Sequence, residues 1–254
     1  MSVMALINGE SALGRVVVGE AADLFGWAAG RLQALAVHQP SARVGLSGGS
    51  TPGKWYDWMV AHGSLSPRQA AALHWHVSDE RHVPLESPES NFGVAARQLL
   101  APLNVPEEVQ FPWPTMVDPH SAVTVFQRDW TGRYGFSDHT FDLGILGMGD
   151  DGHTLSVFPD SPFLAGVIEG DFACVEVPGK GWRLTLTPAG LAKCGEIVVM
   201  CLGAGKAARL ADVMAAPYDR FPVQILRQLR EKTTWLLDDA AARVWQETKG
   251  AAGI

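Results

Sequence analysis

Short apolar runs that stop at glycine-rich loops, each followed by a helical stretch, recur along most of this chain. Residues 43–47 (RVGLS) break into Gly-Gly-Ser-Thr-Pro, residues 141–146 (FDLGIL) stop at Gly147, and residues 196–202 (EIVVMCL) lead into a helical pattern over 205–215. Residues 73–78 (LHWHVS), 172–177, 183–186 and 233–237 read as further strands, the last before a C-terminal helix. Thr51 and Pro52 read as N-cap and first turn of a helix over 53–61, and Ser90 or Asn91 as the cap of one running to Leu100. Strands separated by helices of this length imply βαβ units, hence an α/β fold with a mainly parallel sheet covered on both faces. The Pro-rich segment 102–114 is too short for a domain linker, so one domain over 1–254 is expected.

Composition narrows the function classes. With 47% hydrophobic and 19% charged residues in 254, the chain is ordinary globular material. A net charge of −7 argues against nucleic-acid binding, which runs on excess Lys and Arg, but not against a small anion held by a few cations. Cys174, Cys194 and Cys201 form no C-x-x-C pair and fit a reducing compartment. Residues 1–20 lack the basic start of a signal peptide, and the longest apolar run falls far short of the roughly 20 residues that span a bilayer. A cytoplasmic protein with no membrane partner is expected.

In open parallel sheets, ligands collect beyond the carboxyl ends of the strands. Four segments occupy such ends, namely residues 47–51, 78–82, 147–153 and 203–206, and are expected to converge. The first contains a G-x-S-x-G match that would make Ser47 a nucleophile. The delayed helix start instead favours an extended loop, Ser47, Gly48, Gly49, Ser50 and Thr51, whose N–H groups cradle an anion. The third matches G-x-G-x-x-G, with Glu176 as a candidate ribose acid, a pattern weak by itself. It also sets Asp151 two residues from His153, where a carboxylate can orient an imidazole that takes a proton from water.

Asp79, Glu80 and Arg81 read either as a surface charge run or as pocket residues. His74 and His76 share one strand face, with His82 nearby, but no clear third ligand accompanies them, so no metal is expected. The segment Gly203-Ala-Gly-Lys206 is not a P-loop, because Met200 and Ala207 stand where that motif needs Gly and Ser or Thr. A lysine on the first turn of a helix opposes the helix dipole, and a bound anion would offset this.

Together these segments resemble the 6-phosphogluconolactonase family and, more distantly, the glucosamine-6-phosphate deaminases. The blocks are LSGGSTP (46–52), SDERHVP (78–84), SNFG (90–93), FDLGILGMGDDGHT (141–154), SVFP (156–159), RLTLTP (183–188) and GAGKA (203–207). The resemblance implies a three-layer α/β/α Rossmann-like fold and hydrolysis of 6-phospho-D-glucono-1,5-lactone in the oxidative pentose phosphate pathway, without a cofactor. It makes His153 the general base with Asp151 beside it, and adds Asp79 to the catalytic group. Ser47 to Thr51, Arg81, Asn91, Arg183 and Lys206 become binders of the phosphosugar lactone.

The chain departs from the family's D-G-H-T-A-S-L-F-P at Leu155 and Val157, which bears on fine substrate preference. In the deaminase pattern a glutamate stands five positions after the histidine; here that position is Phe158. Three other readings stand beside lactone hydrolysis: a deaminase-isomerase, a non-catalytic phosphosugar-binding module and a nicotinamide-dependent dehydrogenase. A monomer or a homodimer is expected.

Overall fold

The computed structural model describes residues 6–217 and 219–251. The first five residues of the N-terminal segment read above lie outside them. The described chain opens with a hairpin, β1 (Ile7–Ser11) and β2 (Gly14–Val18), where no strand was expected. The helix α1 (Ala21–His38) then leads to β3 (Ala42–Leu46), α2 (Ser50–Ala61), α3 (Pro67–Ala71) and β4 (Leu73–Val77). The short β5 (Asp79–Arg81) and α4 (Asn91–Ala95) precede α5 (Pro119–Tyr134) and β6 (Leu143–Gly147). Next come β7 (Phe172–Val177), β8 (Gly181–Leu186), α6 (Pro188–Ala192) and β9 (Glu196–Cys201), and the chain closes with α7 (Ala207–Ala215), β10 (Thr233–Leu237) and α8 (Asp239–Ala251).

Seven strands form the central sheet in the order β1–β2–β10–β9–β6–β3–β4, and every pairing except β1 with β2 is parallel. All five residues of β10 are buried, as are all of β9 except Glu196, as expected of strands covered on both faces. Alternation along β4 settles the layering. Trp75 Nε1 donates to Ala70 O of α3 (2.9 Å), while His74 and His76 on the other face meet the Tyr134 hydroxyl of α5 (2.9 and 3.0 Å). Helices thus cover both faces of a largely parallel sheet, the expected α/β class.

One expectation needs correcting. Segments 172–177 and 183–186 do not join the parallel sheet; with β5 they form a separate antiparallel sheet, β5–β8–β7. The reason is the connection. Only residues 178–180 separate β7 from β8, whereas a parallel return needs a dozen or more residues.

The strand order reverses once at a place that matters. From β3 the chain moves outward to β4, then returns to lay β6 on the other side of β3. This reversal leaves a crevice beyond the carboxyl ends of β3 and β6, where doubly wound sheets place ligands.

Candidate active site

A cavity of about 240 Å³ occupies that crevice. All four expected segments contribute to it: Ser47 to Pro52 after β3, Asp79 and Arg81 on β5, Gly147 to Gly149 and His153 after β6, and Lys206 after β9. Asn91 also lines it.

The loop after β3 is held by its own helix. The buried Tyr56 hydroxyl of α2 donates to Ser47 O at 2.6 Å. The N-cap of α2 is Gly49 rather than Thr51, and Pro52 is the third helical residue rather than the first. The helix therefore starts earlier than its proline signal suggested. No side chain caps this end, and Ser50 and Thr51, the first helical residues, line the cavity, where an anion would satisfy their N–H groups. A side chain at position 48 is excluded, because a Cβ there would overlap the amide of Asn91.

The Ser-Asp-Glu-Arg segment is no surface charge run. Asp79 is nearly buried and Glu80 wholly so. Glu80 Oε1 accepts from the N–H groups of Arg81 (2.8 Å) and Asn91 (2.6 Å). Its Oε2 accepts from Ser90 Oγ (3.0 Å) and the Phe92 N–H (2.8 Å). The carboxyl thus caps the start of α4 and ties it to β5. Burial pushes the Glu80 carboxyl up, and these four bonds pull against that rise.

Asp79 Oδ2 accepts from Ser156 Oγ (2.8 Å), and the Asn91 amide donates to Asp79 O (2.8 Å). Burial raises the Asp79 carboxyl above its ordinary value, opposed by the Ser156 bond and by the charges of Arg81 and Arg183. Neither the capping role of Glu80 nor the bond from Ser156 to Asp79 was expected, because their partners lie far apart in the sequence.

After β6 the chain turns so that His153 Nδ1 lies 2.5 Å from Asp151 Oδ1, which also accepts the His153 backbone N–H at 3.0 Å. Partial burial alone would raise the Asp151 carboxyl, but these two bonds and the charge of Lys180 outweigh it and hold it below its ordinary value. An ionised carboxylate only accepts, so the Nδ1 of neutral His153 carries the proton and Nε2 keeps its lone pair. Gly149 cannot be replaced without loss, since a Cβ there would collide with the His153 ring. Phe158 stacks on that ring with centroids 4.2 Å apart. Leu155 forms part of the cavity wall at φ 54°, a left-handed conformation that side chains rarely adopt.

Lys206 lies just before α7, with its ammonium 2.5 Å from Asp150 Oδ1. Two expected residues do not line the cavity. Asp151 stands beside His153 as its partner. Arg183, across the β5–β8 ladder from Arg81, turns its guanidinium back onto Lys180 O and Trp182 O. Glu176, the candidate ribose acid, is exposed on β7 of the small sheet, away from the switch point. Cys201 lines the cavity, but burial pushes its thiol up to about 12, so it stays protonated and is a poor nucleophile. Among the described residues no three His, Cys, Asp or Glu side chains cluster to hold a metal ion.

A histidine held by an aspartate, sharing a cavity with an uncapped helix end and two cations at the switch point of a parallel sheet, defines an α/β enzyme suited to a small anion. The chain belongs to the glucosamine-6-phosphate isomerase/6-phosphogluconolactonase family, whose model matches residues 20–235. It is 32% identical over 206 residues to a 6-phosphogluconolactonase of Synechocystis sp., covering 78% of this chain and 82% of that one. Identity is also 32% over 213 residues with the human 6-phosphogluconolactonase, covering 79% and 80%. The solved 6-phosphogluconolactonase of Trypanosoma cruzi superposes with a TM-score of 0.75 at 25% identity, covering 90% of this chain and 95% of that one.

Proposed function

We propose that this protein is a hydrolase of a carboxylic ester, converting 6-phospho-D-glucono-1,5-lactone to 6-phospho-D-gluconate in the pentose phosphate pathway. The observation that carries the reading is His153, held by Asp151 behind it, in one cavity with the uncapped start of α2. Relatives named 6-phosphogluconolactonase, similar over about four fifths of this chain, support it. No described helix is long and apolar enough to cross a membrane.

In this mechanism the phosphate rests on the N–H groups of residues 47–51 and on Lys206 and Arg81. This contact, remote from the reacting carbon, holds the lactone in register. Asp79 and Asn91 meet sugar hydroxyls. His153 Nε2 takes a proton from water as its oxygen bonds to the lactone carbonyl carbon, and Asp151 steadies the imidazolium that forms. The tetrahedral oxyanion then collapses, the bond to the ring oxygen breaks, and that oxygen takes the proton back from His153. No covalent intermediate is needed, because the carbonyl is already electrophilic.

The deaminase reading lacks a member. Ring opening in that pattern uses a glutamate where this chain stacks the phenyl ring of Phe158 on the histidine, and a phenyl ring carries no proton. His153→Ala is expected to keep the fold and lose about 10²–10⁴-fold in turnover, read as lactone hydrolysis above the spontaneous rate. A folded variant with near wild-type kcat would remove His153 from the role.

A further inference from the structure

Lys206 brings its ammonium to the start of α7, where the helix dipole is positive. The chain itself answers that charge, through the Asp150 carboxylate at 2.5 Å. The two ends of the pair sit differently. Lys206 lines the cavity with its side chain 26% exposed, whereas Asp150 is 88% exposed and no part of the lining. The carboxylate therefore holds the ammonium from outside the cavity lining.

The backbone beneath Asp150 is fixed. Arg209 Nε donates to Asp150 O at 2.7 Å, the Gly149 N–H donates to His153 O at 2.8 Å, and the Val223 N–H donates to Gly152 O at 2.9 Å. Parting the pair thus takes only side-chain torsions of Asp150 and Lys206.

We propose that Asp150 is a specificity-determining residue that occupies Lys206 in the free protein and yields it only to a ligand more highly charged than a carboxylate. The inference rests on the phosphate-binding role given to Lys206 above. An exposed ion pair is weak, so a phosphate dianion displaces Asp150 readily. A singly charged sugar acid offers Lys206 no more than Asp150 already does and gains little by the exchange. After turnover the same carboxylate recaptures the lysine and favours release of the phosphorylated product.

Inorganic phosphate is the probe, titrated calorimetrically onto wild type, Asp150→Asn, Lys206→Met and the double variant. Asp150→Asn is expected to bind phosphate about two- to five-fold more tightly, the range an exposed pair allows. That gain should vanish in the Lys206→Met background, which separates displacement from a general loss of negative charge. Unchanged or weaker binding by Asp150→Asn, or an equal gain without Lys206, overturns the proposal. Lactone turnover on the same preparations separates the two readings. A wild type without turnover, whose Asp150→Asn variant still binds phosphate more tightly through Lys206, sinks the lactonase reading and leaves the Asp150 assignment standing.

Discussion

At the scale of single residues, Asp79 shows what a buried carboxyl at the cavity costs the fold. Its carboxyl is buried against one good side-chain donor, Ser156, so its ionised form is disfavoured and its folded-state proton affinity is raised. A carboxyl raised in this way stabilises the fold below its unfolded value near 3.8 and loses that contribution as pH rises through the folded value. Asp79→Asn is therefore expected to melt higher than wild type at neutral pH, with the gain disappearing below about pH 4. Loss of a charged acceptor for substrate should meanwhile cost about 10- to 100-fold in kcat/KM. Thermal melts across pH, paired with lactone kinetics, check both halves, and a variant less stable at pH 7 contradicts the first.

Lys206 and Arg81 are argued on charge instead. Each alanine substitution should cost on the order of 1.5–3 kcal/mol in kcat/KM for the phosphorylated lactone and much less for unphosphorylated gluconolactone. Equal damage to both substrates would show that neither cation reads the phosphate.

At the scale of elements, Glu80 is the instructive contrast to its neighbour. It too is buried with a raised carboxyl, yet four donors converge on it and join β5 to the start of α4. Glu80→Gln sets an NH₂ group against two of those donors and is expected to destabilise by about 3 kcal/mol in denaturant unfolding. KM should rise as well, because Asn91 and Arg81 are positioned by the same carboxyl. Stability within about 0.5 kcal/mol of wild type, the spread of an ordinary surface substitution, would remove Glu80 from this role.

The same scale explains what was legible in the sequence. The central strands β3, β6, β9 and β10 are largely buried, so they read as short, mostly apolar runs, with glycines at or just past the β3, β6 and β9 ends. The hairpin was missed because β1 (INGES) is almost wholly exposed and carries no apolar alternation. The helix α2 was read as starting late, since proline marks an early helical position but not which one. Glu80 stayed hidden because its partners are backbone N–H groups eleven and twelve residues away, which leave no trace in composition.

For the whole molecule, the strand order decides where chemistry can happen. Loops after β3, β6 and β9 and the strand β5 meet only because the chain reverses direction between β4 and β6. That convergence was legible from glycine-rich loops at strand ends, whereas the separate antiparallel sheet that delivers Asp79 and Arg81 was not. The choice between sister reactions rests on a single ring, Phe158, stacked against the His153 imidazole where the deaminase reading would need a proton carrier.

The most direct measurement supplies freshly generated 6-phosphogluconolactone to the purified protein, subtracts the spontaneous rate, and follows ammonia from glucosamine 6-phosphate in parallel. The account predicts clear acceleration of lactone hydrolysis with no ammonia release above background. Steady ammonia release that depends on His153, with no acceleration of lactone hydrolysis, would contradict it.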